Sequence, residues 1–322
     1  MPSGPLASLA ATTLHYLHLS LAPSSLATYR SGWLAYSRFC SLHRLPTLPL
    51  SESSVLLFCS SLAARNVTHA SIRVYLSAVS YFSRLSGHSF SPDLFPRIQY
   101  LLRGIRRSQG SSLTSPSRAP ITLVHLQSLH SCIFSRFSAP DSLMLWSAVT
   151  AAFFGLLRAS EFTSPSVSSV LPATLLYRHV SFSWSPDVVS LFLPQSKTDQ
   201  FANGAVVRLF RLDPPICPFT AAFAFHSVHP ARSGPFFQFR DGRFLTRRDV
   251  VSLLSRSFPS LSALNTHSFR IGGASALAAA GVSDGDIRIL GRWSSDSFFR
   301  YIRLRTSTLR SHQVCMRGAP SL

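Results

Sequence analysis

The chain has 322 residues, long for one compact domain and comfortable for two. Thirty-one Lys and Arg face twelve Asp and Glu, for a net charge of +19 and a pI near 11.2; a polyanionic partner is expected, because each phosphate contact releases condensed counterions. Five cysteines (Cys40, Cys59, Cys132, Cys217 and Cys315), odd in number and without CxxC spacing, argue against a disulfide framework or a zinc site.

Residues 1–22 read as an N-terminal tail. The stretch has no basic leading segment, and His15 and His18 interrupt its apolar patches, unlike a signal peptide. Residues 23–107 read as a helical domain. Leu26, Tyr29, Trp33, Tyr36 and Phe39 recur at helical spacing after the candidate caps Ser24 and Ser25. Further helices are expected over 52–65, 71–86 and 96–107, the last ending in the basic run LLRGIRR. Residues 108–120, SQGSSLTSPSRAP, have no apolar period and read as a linker.

The second domain is expected over 121–310, with a tail from 311. It opens with helical stretches at 123–137 and 142–157. The run Leu143–Leu157 falls short of the roughly 20 residues that cross a bilayer, so it reads as a buried helix. Three β-rich runs follow at 180–184, 188–193 and 205–212. Lys197 lies in the polar turn between the last two, at an expected hairpin tip. It is the single Lys beside thirty Arg. Chance would explain that, but a Lys can give up a proton near neutral pH and an Arg cannot. The remainder returns to helices apart from an Asp241-Gly242 turn.

Three segments carry candidate chemistry. In THSFRIGGASALAAAG (266–281), Thr266 is a candidate cap, and His267 and Arg270 fall on one helix face at i, i+3. Such a helix start suits a phosphate, and Gly281 suits the helix end. In LGRWSSDSFFRYIR (290–303), Tyr301 is expected in a short aromatic and basic helix between Arg300 and Arg303. In GLLRASEF, Arg158 ends the buried helix with Glu161, one of two Glu in the chain, placed to hold its guanidinium. Each segment alone also fits an ordinary structural part: a capped helix, a packed tyrosine, an ion pair.

Together, in the order Arg158, Lys197, His267-x-x-Arg270, Trp293, Tyr301, these residues resemble the tyrosine recombinase (phage-integrase-like) family. The wording SKTDQ, CP, THSFRIG and GRWSSDSFFRYIR is most similar to its eukaryotic mobile-element branch, the Crypton and DIRS-like recombinases. The likeness covers 158–303 well and extends loosely to an N-terminal core-binding domain through TYRSGWLAYSRFC and SIRVYLSAVSYF. Trp293 and Tyr301 stand eight residues apart, one fewer than in many members, as in the eukaryotic branch.

The resemblance implies a two-domain architecture. A SAM-like helical core-binding domain precedes a mainly α catalytic domain with a small antiparallel sheet. It implies site-specific DNA recombination or integration, with Arg158 and Arg270 clamping the scissile phosphate and Tyr301 as nucleophile. Lys197 becomes the proton donor, His267 an assisting base or hydrogen bonder, Trp293 an indole donor, and Glu161 the support of Arg158. Arg103, Arg106, Arg107, Arg118, Arg292 and Arg300 are the expected DNA contacts. No metal, ATP or other cofactor is implied; the partners are double-stranded DNA and three further copies in a homotetramer, without a membrane, in the nucleus.

Other readings fit less well. A two-metal nuclease needs clustered carboxylates, whereas the closest acidic pair, Asp284 and Asp286, sits at a helix start. A type IB topoisomerase would share the chemistry, but the small N-terminal helical domain and the motif wording favour a recombinase. The serious rival is a domesticated, catalytically silent DNA-binding protein; such decay would be expected to lose at least one of the six residues, and all are present.

Overall fold

The computed structural model describes residues 5–110, 118–196, 199, 203–214, 216–261 and 263–302. The chain divides into two compact units, Met1–Ser115 and Pro116–Leu322. Among the described residues no helix is long and apolar enough to cross a membrane.

Among the described residues the first unit has five α-helices: α1 (Pro5–Leu19), α2 (Pro23–Leu42), α3 (Glu52–Ala64), α4 (His69–Leu85) and α5 (Pro96–Gln109). The stretch read as an N-terminal tail thus holds a helix. Its apolar side chains, among them Leu6, Leu9 and Leu14, are exposed. The expected Ser cap of α2 is also corrected. Ala22 is the N-cap, with no side-chain bond, and Pro23 starts the helix because its fixed φ and missing N–H cost nothing there. Ser51 and Thr68 do cap α3 and α4, accepting from Ser54 N at 3.1 Å and Ser71 N at 3.3 Å.

Tyr36, Phe58, Leu62, Ile72, Val79 and Ile98 meet in the core of this unit, each presented by the 3.6-residue period of its helix. α5 runs to Gln109, two residues into the stretch read as linker. Gln109 closes the unit by accepting from His69 N at 2.7 Å and donating to Val67 O at 2.8 Å.

The second unit surrounds α7 (Asp141–Phe154), a helix buried nearly all round. Against or near it lie α6 (Leu123–Arg136), α9 (Pro218–Ser227), α10 (Arg247–Ser257) and α11 (His267–Ala279), with α8 (Ala159–Phe162) and α12 (Asp284–Leu290) as short connectors. One antiparallel sheet of order β1-β2-β3 joins Val180–Trp184, Asp187–Leu193 and Ala205–Phe210. Its register pairs Val189 with Leu209 and Leu191 with Val207, which turns these apolar side chains onto α9 and the core. The fold is therefore mainly helical with a small antiparallel sheet, as the resemblance implied. β3 stops at Phe210, two residues short of the expected run, and Arg211 bonds instead to Asp187.

Candidate active site

The site begins where α7 ends. Gly155 N–H still bonds to Ala151 O at 2.9 Å, but Leu156 then takes a left-handed conformation (φ 47°) that turns the chain out of the helix. Arg158 follows in extended backbone as the N-cap of α8. Glu161, third in that short helix, reaches back: its Oε2 accepts from Arg158 N at 2.8 Å and its Oε1 from Arg158 Nη1 at 3.0 Å. Glu161 is wholly buried, and so must be paired to remain charged.

α11 supplies His267 and Arg270. Thr266 does not cap it as expected: its own backbone is helical and its side chain makes no cap bond. Asn265 takes that part, its Oδ1 accepting from His267 N at 2.9 Å. Gly272 and Gly273 let the helix press against its neighbours. A Cβ on the first would lie 1.8 Å from Ile121 O, and on the second 2.4 Å from Phe153 O. This close approach carries Arg270 into the interior, where 1% of it is exposed. Its Nη1 donates to Leu156 O and its Nη2 to Gly291 O. Gly281 ends the segment with φ 79°, as expected.

The third part runs from Gly291 to Tyr301. Trp293 folds back so closely that a Cβ on Gly291 would meet its ring at 1.6 Å. The indole covers the Arg270 guanidinium at 4.1 Å from its ring, a cation–π contact. Tyr301 lies just past a 3-10 turn over Asp296–Arg300, rather than inside a helix. Its carbonyl accepts from Ser275 Oγ of α11 at 3.0 Å. Its ring sits 4.9 Å from that of His267 and 5.0 Å from that of Trp293.

Charge here is unbalanced. The guanidiniums of Arg158, Arg270 and Arg292 surround the one carboxylate of Glu161, three positive charges against one negative. Burial, then the charges of Arg158 and Arg292, hold the Arg270 pKa well below the ordinary guanidinium value. Burial, then Arg118, Arg270, Arg247 and Arg158, lowers the His267 pKa to about 4, so the imidazole is neutral at pH 7. A cluster with surplus positive charge and a neutral imidazole suits an anion.

Arg158, His267, Arg270, Trp293 and Tyr301 thus meet in one cluster, with Glu161 behind them. Lys197 lies outside the described residues, between β2 and β3 in sequence. Of the expected DNA contacts, Arg103, Arg106 and Arg107 are exposed on α5, Arg103 over the Tyr100 ring at 5.2 Å; Arg118 and Arg300 are exposed as well. Arg292, expected among these contacts, pairs with Glu161. Its side chain is 13% exposed and turns inward, because buried Glu161 needs a second cation. Sequence reasoning missed Asn265 and the carbonyl acceptors at 155, 156 and 291; a carbonyl has no residue identity to signal it.

No protein-family model matches the chain, and no curated protein sequence does. Among solved structures the chain is similar to the XerH site-specific recombinase bound to palindromic difH substrate in a post-cleavage complex, with TM-score 0.58 and 14% identity over 90% of this chain and 79% of that one. It is also similar to a lambda integrase dimer bound to a COC′ core site (TM-score 0.56, 13% identity, 94% and 81%). A third likeness is to the Tn1549 transposon integrase in complex with transposon right end DNA (TM-score 0.56, 12% identity, 89% and 93%). At such identities the likeness is one of fold: the chain shares the architecture of tyrosine recombinases and integrases.

Proposed function

We propose that the protein is a tyrosine recombinase of the eukaryotic mobile-element kind, which cuts and rejoins duplex DNA through a covalent link to Tyr301. The observation that carries this reading is the meeting of Tyr301, His267, Trp293 and Arg270, with Arg158 beside them, from segments far apart in sequence. The fold shared with DNA-bound recombinases and integrases supports it.

In the proposed reaction the Tyr301 hydroxyl oxygen attacks the scissile phosphorus and the bond from phosphorus to the 5′-oxygen breaks. The product is a 3′-phosphotyrosine and a free 5′-hydroxyl. Lys197 gives its proton to the leaving oxygen. Neutral His267, in ring contact with Tyr301, accepts a hydrogen bond or proton from the attacking hydroxyl. Arg158 and Arg270 hold the non-bridging oxygens as charge builds on them. Rejoining reverses the step with a 5′-hydroxyl from another strand, so the phosphodiester bond energy is kept and neither ATP nor a metal ion is required.

Burial adds a condition. Arg270 is 1% exposed beneath Trp293 and Tyr301, so a phosphate reaches it only after one of those rings lifts away. Movement of Tyr301 would open the clamp and free the nucleophile together. Exchange between two duplexes calls for four protomers, and a DNA substrate in a eukaryotic cell would have the protein act in the nucleus.

The test is a library of nicked duplexes with a randomised central segment, incubated with the full chain and resolved on denaturing gels. The wild type is expected to trap covalent adducts, Tyr301→Phe none, and Lys197→Arg to form them on the order of 10²- to 10⁴-fold more slowly, the usual share of a proton donor. DNA binding without any adduct would reject this reading in favour of a DNA-binding protein that does not cut.

A further inference from the structure

We propose that Arg292 is a positioning residue that sets both clamp arginines and does not touch DNA; this rests on reading the cluster as a strand-cleaving site. The Arg292 fork spans two loops. Nη1 donates to Gly155 O at 3.1 Å and Leu290 O at 3.4 Å, and Nη2 to Leu156 O at 3.2 Å and Glu161 Oε2 at 2.8 Å. Each clamp arginine rests on groups that this fork fixes. Arg158 donates to Glu161 and, through Nη2 at 3.0 Å, to the carbonyl of Arg292 itself. Arg270 donates to Leu156 O, which it shares with Arg292, and to the adjoining carbonyl of Gly291.

Backbone conformation supports the same assignment. Five non-glycine residues have positive φ among those described, and two of them, Leu156 (47°) and Arg292 (56°), face each other across this brace. Left-handed backbone is costly for such residues and persists where surrounding bonds over-determine it. A lysine could not replace the fork, since one ammonium cannot reach the carboxylate and two successive carbonyls in a plane.

A brace acts on the placement of reacting groups, and a small misplacement costs on the order of 10²-fold in rate. A phosphate contact acts on affinity and lowers the salt slope of binding by about one. Arg292→Ala and Arg292→Lys would therefore be compared with wild type on the trapped nicked duplex. The readouts are the single-turnover adduct rate at saturating DNA, the Kd and its salt slope in a Tyr301→Phe background, and Tm.

Expected for both variants is a rate about 100-fold lower with Kd and salt slope unchanged. Should Arg292→Ala not fold, Arg292→Lys carries the test with the same readouts. A weaker Kd and shallower salt slope at unchanged saturating rate would make Arg292 a DNA contact and overturn the proposal. So would an unchanged rate, or a loss that matches the unfolded fraction and vanishes on cooling. Wild type forming no adduct is a separate failure: it removes the strand-cleaving reading, and this inference with it.

Discussion

The two units bury polar groups in different ways. In the first, the buried serines among the described residues, Ser54, Ser80 and Ser83, each lie close to a backbone or side-chain partner, and no charged side chain is buried. The second buries Glu161 and Arg270, the only Asp, Glu, Lys or Arg residues in the buried class among those described. A small buried hydroxyl finds an acceptor one turn or one loop away, as Ser80 and Ser83 do. A buried charge costs several kcal/mol in desolvation unless other charges and dipoles are arranged around it. The second unit carries that arrangement at one place, where three guanidiniums meet one carboxylate, and the candidate nucleophile lies there. Buried charge locates the site; buried hydroxyls only complete a core.

That contrast can be broken most forcefully at Glu161. Glu161→Gln leaves the Arg158 and Arg292 guanidiniums facing a neutral amide, and is expected to destabilise the second unit by about 3–5 kcal/mol, read by denaturant unfolding. A loss below about 1 kcal/mol would show that the carboxylate is not what balances them.

A smaller effect is expected at His267. Its pKa of about 4 reflects burial and surplus positive charge. A bound phosphate adds negative charge, which favours the imidazolium, so the pKa must rise; we expect an increase of about one unit or more. An NMR titration of the Tyr301→Phe chain with and without duplex DNA reads it. A fixed or falling value would mean that DNA does not enter this cluster. The smallest effect is expected in the first unit. Ser80 Oγ donates to Phe90 O at 2.8 Å, so Ser80→Ala should cost about 1 kcal/mol and leave the adduct rate untouched. A changed rate would mean that the first unit's core is coupled to the chemistry.

Much of the fold is legible in the chain. Helix α2 declares itself through the 3.6-residue spacing of Leu26, Tyr29, Trp33, Tyr36 and Phe39, α3 to α6 as further helical stretches, and α7 as an apolar run too short to cross a bilayer. The three strands show as β-branched runs around a polar turn. α1 was illegible because its apolar residues lack a polar counter-face: residues 1–22 contain no charged side chain to mark one. The residues of the candidate site are named from the sequence through the family resemblance, which joins segments that each fit an ordinary structural part. Arg158 with Glu161, and His267 with Arg270, sit on single turns whose geometry three-residue spacing dictates.

The packing of distant segments settled the rest. Arg292 reads in the sequence as an expected DNA contact, and in the fold its guanidinium donates to acceptors at 155, 156 and 161. Thr266 looked like a cap, and Asn265 fills that place once the loop before α11 is set. The cap is a local bond between residues two apart, whereas the Arg292 contacts join distant segments. Periodicity and capping are read from neighbours in the chain, but which carbonyl meets which guanidinium depends on contacts between segments more than a hundred residues apart. Every residue offers the same carbonyl, so its partner is chosen by packing.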